Sequence, residues 1–313
     1  MKVHYSFDKL HEVKNPVVTT GSFDGVHVGH QVIISRLKKL ARDIDGESVL
    51  ITFHPHPRRV LYPDTAGKDM LLICSQEEKL ELLEKTGLDH LVIINFNHQF
   101  AQITSHEFVE EILVERLRAK IIVVGFNHHF GHNREGDFEY LYKLSKLHQF
   151  EVEEIPEQDI HNESVSSTKI RKALLEGNIQ RANAYLDHLY IIKGKGRFEG
   201  DISRKLEKNV FCLKIDEYVK LVPAEGVYAV SISDGVKLFK GLFSVVNWKI
   251  ENNYLSHEIK LEFIPLENDV HPDNKKLTVY FQKRIRNSSN GQSIPFMKKQ
   301  LEKDIKIIDE LIF

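Results

Sequence analysis

The stretch Thr20-Gly21-Ser22-Phe23-Asp24-Gly25-Val26-His27-Val28-Gly29-His30 constrains the fold more than any other part of the chain. An apolar run at Pro16 to Val18 precedes it, and behind it Ile33, Ile34, Leu37, Leu40 and Ala41 recur at helical spacing. The pattern predicts a strand-to-helix turn. Glycines in such a turn let the backbone approach a bound group, and the helix start offers unpaired N–H groups and the positive end of a dipole. An anion, phosphate above all, suits that corner. The spacing is that of neither common glycine-rich nucleotide loop: no Lys-Ser or Lys-Thr pair follows the glycines, and the dinucleotide fingerprint does not carry two histidines. His27 and His30 fall on one side of the first helical turn. A tight turn with surface histidines would account for the glycines but not for two imidazoles on the phosphate-facing side.

A chain of 313 residues is long for one core and comfortable for two domains. Its formal net charge of -2 excludes the basic bias of a general nucleic-acid binder, so a polyanion has to be gripped locally. The cysteines, Cys74 and Cys212, lie far apart and suggest neither a disulfide framework nor a thiolate zinc site. The start Met1-Lys2-Val3-His4-Tyr5 has no signal-peptide character and no run approaches membrane-spanning length, so a cytoplasmic protein with no membrane or nucleic-acid partner is expected.

From Pro16 to about Leu186 strand-like and helix-like segments alternate, as in a parallel sheet covered on both faces. Strands are expected at Val49 to Phe53, Leu91 to Ile94, Ile121 to Val124 and Phe150 to Ile155, and helices at Gln76 to Glu84, Ser105 to Arg116 and Phe138 to Leu147. Polar strings follow all but the last strand: Gly21 to His30, His54-Pro55-His56-Pro57-Arg58-Arg59, Asn95-Phe96-Asn97-His98 and Gly125-Phe126-Asn127-His128-His129-Phe130-Gly131. Ligands of open α/β sheets bind at the carboxyl ends of strands, so these strings should converge on one crevice. His128, His129 and His132 invite a zinc reading, but no carboxylate or cysteine at ligand spacing supports it.

A second signal is Ser166-Ser167-Thr168-Lys169-Ile170-Arg171. Its hydroxyls suit a helix N-cap, and Ile170, Leu174 and Leu175 begin an apolar stripe. Lys169, Arg171 and Lys172 then put cations in the first turn, where the dipole disfavours them. An anion beyond the helix end resolves that conflict; charges simply solvated in water are the alternative, at a cost of tenths of a kcal/mol.

After Leu189-Tyr190 the alternation stops. Short β-rich runs at Val210 to Ile215, Gly226 to Ser233, Leu238 to Val246, Leu255 to Ile264 and Leu277 to Phe281, then a helical stretch at Ile294 to Leu311, predict a small antiparallel barrel with a terminal helix. Domains 1–186 and 187–313 are expected.

The pair His27-x-Gly29-His30 resembles the signature of the nucleotidyltransferase superfamily, and Gly21-x-Phe23-Asp24-Gly25-x-His27-x-Gly29-His30 resembles the adenylyltransferase module of the prokaryotic bifunctional riboflavin kinase/FAD synthetase family. Other strings fall in family order. Thr52 to Pro57 is similar to its Thr-Phe-x-Pro-His-Pro segment, Val124 to Gly131 to its Val-Gly-x-Asp-Phe-x-Phe-Gly segment with Asn127 where an acid is usual, and Ser166 to Arg171 to its Ser-Ser-Thr-x-Ile-Arg motif. The likeness spans residues 14 to 186 and implies a Rossmann-like α/β nucleotidyltransferase domain that joins the adenylyl group of ATP to FMN with magnesium. By that likeness His27, His30 and Arg171 are the catalytic set, and Gly21, Ser22, Phe23, Asp24, Gly25, Ser166, Ser167 and Thr168 hold ATP. The Gly125 to Gly131 string frames the adenine or the flavin end, with Asn127 and with Phe126 and Phe130 as stacking groups, at least one of which is expected in the core. Arg58 and Arg59 would meet the FMN phosphate or lie solvated at the surface.

The second half resembles the family's riboflavin kinase module at Pro223 to Val230, Leu277 to Phe281 and Gln300 to Ile305. It departs where that module binds ATP and magnesium. Its Gly-Arg-x-x-Gly-Phe-Pro-Thr-Ala-Asn string is replaced by Ser203 to Cys212, its Gly-x-Arg-Pro-Thr string by Ser244 to Trp248, and His257 takes the place of its catalytic acid, with Glu258 one residue out of register. An FAD synthetase with an impaired kinase-like barrel is therefore expected. A fully bifunctional enzyme, a nucleotidyltransferase acting on another phosphate, and a flavin-binding regulatory homologue are the rival readings.

Overall fold

The computed structural model describes residues 1–8, 10–126, 128–160, 163–249, 257–267, 270–288 and 293–312. By packing the chain forms two compact units, Met1–Leu71 with Lys79–Ser166, and Leu72–Glu78 with Ser167–Phe313.

The first unit is built on a six-stranded sheet of β1 (Lys2–His4), β2 (Val17–Thr20), β3 (Ser48–His54), β4 (His90–Asn95), β5 (Ile121–Gly125) and β6 (Glu151–Ile155), in the order β1-β4-β3-β2-β5-β6. Every neighbouring pair is parallel. The four inner strands are buried along nearly their whole length, which is why they read as unbroken apolar runs rather than alternating ones. Helix α1 (Val28–Asp43) buries Ile34, Leu37 and Ala41, while α2 (Pro57–Leu61) is a short helix after β3. Helix α3 (Gln76–Lys85), whose residues up to Glu78 count with the second unit, precedes β4. After β4 come α4 (Ser105–Glu107), begun by a Thr104/Glu107 capping box, and its π-helical continuation Phe108–Arg116. Helix α5 (Phe138–His148) is capped by Asp137. Strands β7 (Asp159–Ile160) and β8 (Glu163–Ser164) form a separate two-stranded ladder. The chain steps outward from β2 through β3 to β4 on one side and lies in β5 and β6 on the other. The topological switch point therefore falls between β2 and β5.

The second unit holds α6 (Ser167–Leu175), α7 (Ile179–Leu186) and a closed antiparallel barrel. The barrel runs β9 (Tyr190–Phe198), β10 (Phe211–Lys214), β11 (Gly226–Ser233), β12 (Leu238–Lys249), β13 (His257–Pro265) and β14 (Lys276–Arg286), with the short helix α8 (Gly200–Leu206) between β9 and β10. Around the ring the order is β10-β13-β12-β11-β14-β9, so closure leaves no edge. Phe281 centres the core, its ring 5.8 Å from Tyr190, 5.4 Å from Tyr228 and 5.1 Å from Phe243. Helix α9 (Ile294–Leu311) lays Leu301 and Ile308 on the barrel and is fixed by Asp304, which accepts from both Arg286 Nε and Nη2 at 2.9 and 2.8 Å.

Strand β9 is absent from the sequence expectation. Its Gly194 and Gly196 weaken strand propensity, yet side chains there would meet the Lys214 and Pro272 carbonyls at 2.5 and 2.4 Å. Also in this unit, Lys220 and Glu78 are both buried and paired at 2.6 Å. Lys220 further donates to the carbonyls of Ile73 (2.5 Å) and Ile191 (2.8 Å), and Glu78 accepts from the Lys193 N–H at 2.7 Å. The pair is tolerable because nearly every polar atom in it has a partner.

Candidate active site

The turn after β2 ends in His27, whose extended backbone (φ -71°, ψ 173°) makes it the residue that caps α1 rather than part of it. His30, one turn on, stacks under it with ring centroids 3.6 Å apart and 18° between planes. Phe23 closes the other side of His30 at 4.5 Å. Three rings thus form a short pile at the helix start. A Cβ at Gly29 would crowd the His27 ring, at 3.3 Å. Gly25 sits at φ +91°, and the non-glycines Phe23 (+48°) and Val26 (+46°) are also left-handed. For a β-branched valine that is costly, about 1–3 kcal/mol, and such strain collects at functional sites.

Burial, then the neighbouring His27 and then the Lys79 ammonium, push the His30 imidazole well below its ordinary titration range. His30 is therefore neutral near pH 7 and able both to donate and to accept. Its Nδ1 is buried and has no hydrogen-bond partner among the described residues. Asp24 is buried as well.

The loop below the rings is held by residues that the sequence reading did not single out. The Ser22 carbonyl accepts from Thr52 Oγ1 at 3.1 Å and from Lys79 Nζ at 2.9 Å, and the Gly21 N–H donates to Ile51 at 3.0 Å. Thr52 lies in the Thr-Phe-His-Pro-His-Pro string, but only the packed structure gives it this task. Lys79 carries no sequence signal at all, because a lysine in an amphipathic helix is ordinarily solvated.

The Gly125 to Gly131 string follows β5 on the other side of the switch point. The two aromatics part company there. Phe126 is exposed, whereas Phe130 packs against the core with Phe108 at 6.1 Å. His128 donates its backbone N–H to Gly125 and stacks near Phe130; burial, His129 and Arg134 lower its imidazole to about 4. Asn127 lies outside the described residues. The two arginines after β3 part company too. Arg59 Nη1 donates to the Met70 carbonyl at 2.6 Å, while Arg58 is exposed and its guanidinium has no bonded partner among the described residues. Ser166 belongs to the first compact unit; Ser167 and exposed Thr168 stand in the first turn of α6 and Arg171 at the start of the next turn, in the second unit.

In the barrel, the string Ser203 to Cys212 forms the end of α8, a turn and the start of β10, beside a groove of about 500 Å³ lined by Phe198, Arg204, Lys208 and Pro265 among others. Ser203 Oγ is consumed internally, donating to the Glu199 carbonyl at 2.7 Å and accepting from the Val210 N–H at 2.9 Å. Ser244 to Val246 lie within β12. The backbones of His257 and Glu258 pair with Lys249 and Trp248, and their side chains lie outside the described residues.

Comparison with known proteins decides the family. Residues 9–169 match the FAD synthetase family and residues 187–312 the riboflavin kinase family. A bifunctional riboflavin kinase/FMN adenylyltransferase of Buchnera aphidicola subsp. Schizaphis graminum is 31% identical over 96% of either chain. This chain belongs to that enzyme family. A Listeria monocytogenes relative of the same description is 30% identical, covering 93% of this chain and 90% of its own. The fold also matches a crystal structure described as a macrolide-efflux protein from Streptococcus pneumoniae, at TM-score 0.86, 25% identity and 99% coverage of both chains. Among the described residues no helix is long and apolar enough to cross a membrane.

Proposed function

We propose that residues 1–186 catalyse attack of an FMN phosphate oxygen on the α-phosphorus of ATP, so that the new P–O bond yields FAD as the bond to the β-phosphate oxygen breaks and pyrophosphate leaves. The observation that carries this reading is the His27/His30 stack at the start of α1, beside the switch point. A phosphate monoester is already largely ionised at neutral pH, its second pKa being about 6, so no strong base is required. What is required is alignment and hydrogen bonding to developing charge. His30, held neutral by its burial, and His27 serve as donors to the phosphates, with the backbone of Gly21 to Gly25 around them. Ser166, Ser167, Thr168 and Arg171 are assigned to the β- and γ-phosphates. Arg58 is assigned to the FMN phosphate and exposed Phe126 to stacking on the flavin or adenine. Packing of Phe130 in the core favours a framing role for it, and Asn127 keeps its assignment near the flavin.

Magnesium fits as part of the MgATP substrate. Among the described residues no three His, Cys, Asp or Glu side chains converge to hold a metal ion.

For residues 187–313 we propose a riboflavin-kinase-like barrel of impaired activity. The hydroxyl of riboflavin must lose a proton as it attacks phosphorus, and where the family string has its threonine and asparagine this chain carries Val210 and Cys212, of which Val210 is a buried apolar side chain. The match of residues 187–312 to the riboflavin kinase family favours full bifunctionality as the second reading. Two assays separate them. FMN with MgATP should give FAD and pyrophosphate; riboflavin with MgATP should give FMN at most about a hundredth as fast. Comparable rates would establish bifunctionality, and flavin binding without turnover of FMN would refute the adenylyltransferase.

A further inference from the structure

The Ser22–Phe23 peptide is a fixed dipole, and its orientation is set from one side. Its carbonyl is drawn inward by two donors, Thr52 Oγ1 at 3.1 Å and Lys79 Nζ at 2.9 Å. In a planar trans peptide the following N–H points the opposite way. That N–H belongs to Phe23, which is 2% exposed, and it donates to nothing among the described residues. Buried backbone donors almost always have a partner, so an acceptor from outside the chain is expected on that face of a residue whose ring stacks on His30. Lys79 is itself 6% exposed, an unusual place for an ammonium without a task.

We propose that Lys79 is a positioning residue for the triphosphate, locking the Ser22 carbonyl so that the Phe23 N–H is presented to a phosphate oxygen. This rests on the adenylyltransferase reading above. A second consequence follows from charge. Burial first, then His27 on the same turn and then Lys79 from α3 disfavour protonation of His30, so Lys79 adds to what holds the adjoining imidazole neutral.

Lys79→Met, Lys79→Arg and Thr52→Val in the full chain test it, with circular dichroism to confirm folding. For Lys79→Met, calorimetric affinity for ATP alone should fall about tenfold and kcat/KM for ATP more steeply, with KM for FMN within about twofold of the parent. In histidine-labelled NMR the His30 imidazole should titrate at higher pH in Lys79→Met and return to the parental position in Lys79→Arg, which keeps the charge. Thr52→Val should weaken ATP binding about threefold without moving that titration. Parental ATP affinity and parental His30 titration in folded Lys79→Met would overturn the proposal; should that variant misfold, parental ATP affinity in Thr52→Val would do so. A wild-type protein that binds ATP but makes no FAD would sink the enzyme reading alone, since the Lys79 effect is scored on binding.

Discussion

The corner after β2 and the loop after β9 both carry polar side chains and put them to opposite use. At the corner, His30 Nδ1 and the Phe23 N–H have no partner among the described residues, while their neighbours Thr52 and Lys79 are spent on holding the loop still. At the loop, Ser203 is bonded twice within its own turn, Arg204 pairs with Asp201, and Glu207 accepts from Lys298 at 2.5 Å. A polar string whose atoms are satisfied internally is structure; one that is rigid yet leaves donors unmatched is prepared for a ligand. Substitutions at the first should therefore damage chemistry, and at satisfied sites stability.

The largest effect expected is for His30→Ala, in which FAD formation should fall about 10³-fold with an unchanged circular dichroism spectrum. A rate near that of the parent would break the comparison at its strong end. Next comes Lys220→Met, which leaves Glu78 buried without its cation. Urea unfolding should show a loss of about 3–5 kcal/mol, while adenylyl transfer by the remaining folded protein stays at its parental rate. The two aromatics of the β5 loop sharpen the contrast within one segment. Phe130→Ala should cost about 2–3 kcal/mol of stability through lost core packing. Phe126→Ala should instead cost almost no stability and raise KM for FMN or ATP about tenfold.

The smallest effect is on pH dependence. His128 titrates at about 4 in the folded chain against an ordinary value near 6.5. The unfolded chain takes up that proton first, so stability is whole above pH 6.5 and declines as pH falls from there toward 4. Because His128 is partly exposed, the decline attributable to it is on the order of 1 kcal/mol, and His128→Gln should flatten the stability profile in that window.

Much of this was legible in the chain of residues alone. Inner strands of a doubly covered parallel sheet have to be apolar throughout, and β2 to β5 were accordingly found where the apolar runs lie. The helical stretch expected at Ile294 to Leu311 is α9, with those bounds. The glycine and histidine spacing at 21 to 30 fixed a strand-to-helix corner with two imidazoles. Strand β9 was hidden because its glycines serve close backbone approach, a requirement set by β10 and the Pro272 carbonyl rather than by its own neighbours in sequence.

What local pattern could not decide is which like residue does what. Arg58 and Arg59, and Phe126 and Phe130, are near-equivalent as text, and their division into exposed and engaged members depends on contacts from Met70 and Phe108. Lys79 meets the Ser22 carbonyl across more than fifty positions of chain, and nothing in either segment announces the other. Sequence thus set the periodicities, and with them the layers and the corner, because burial of apolar faces is a local, repeated demand. Pairings between single polar atoms have no period, so only the folded chain could assign them.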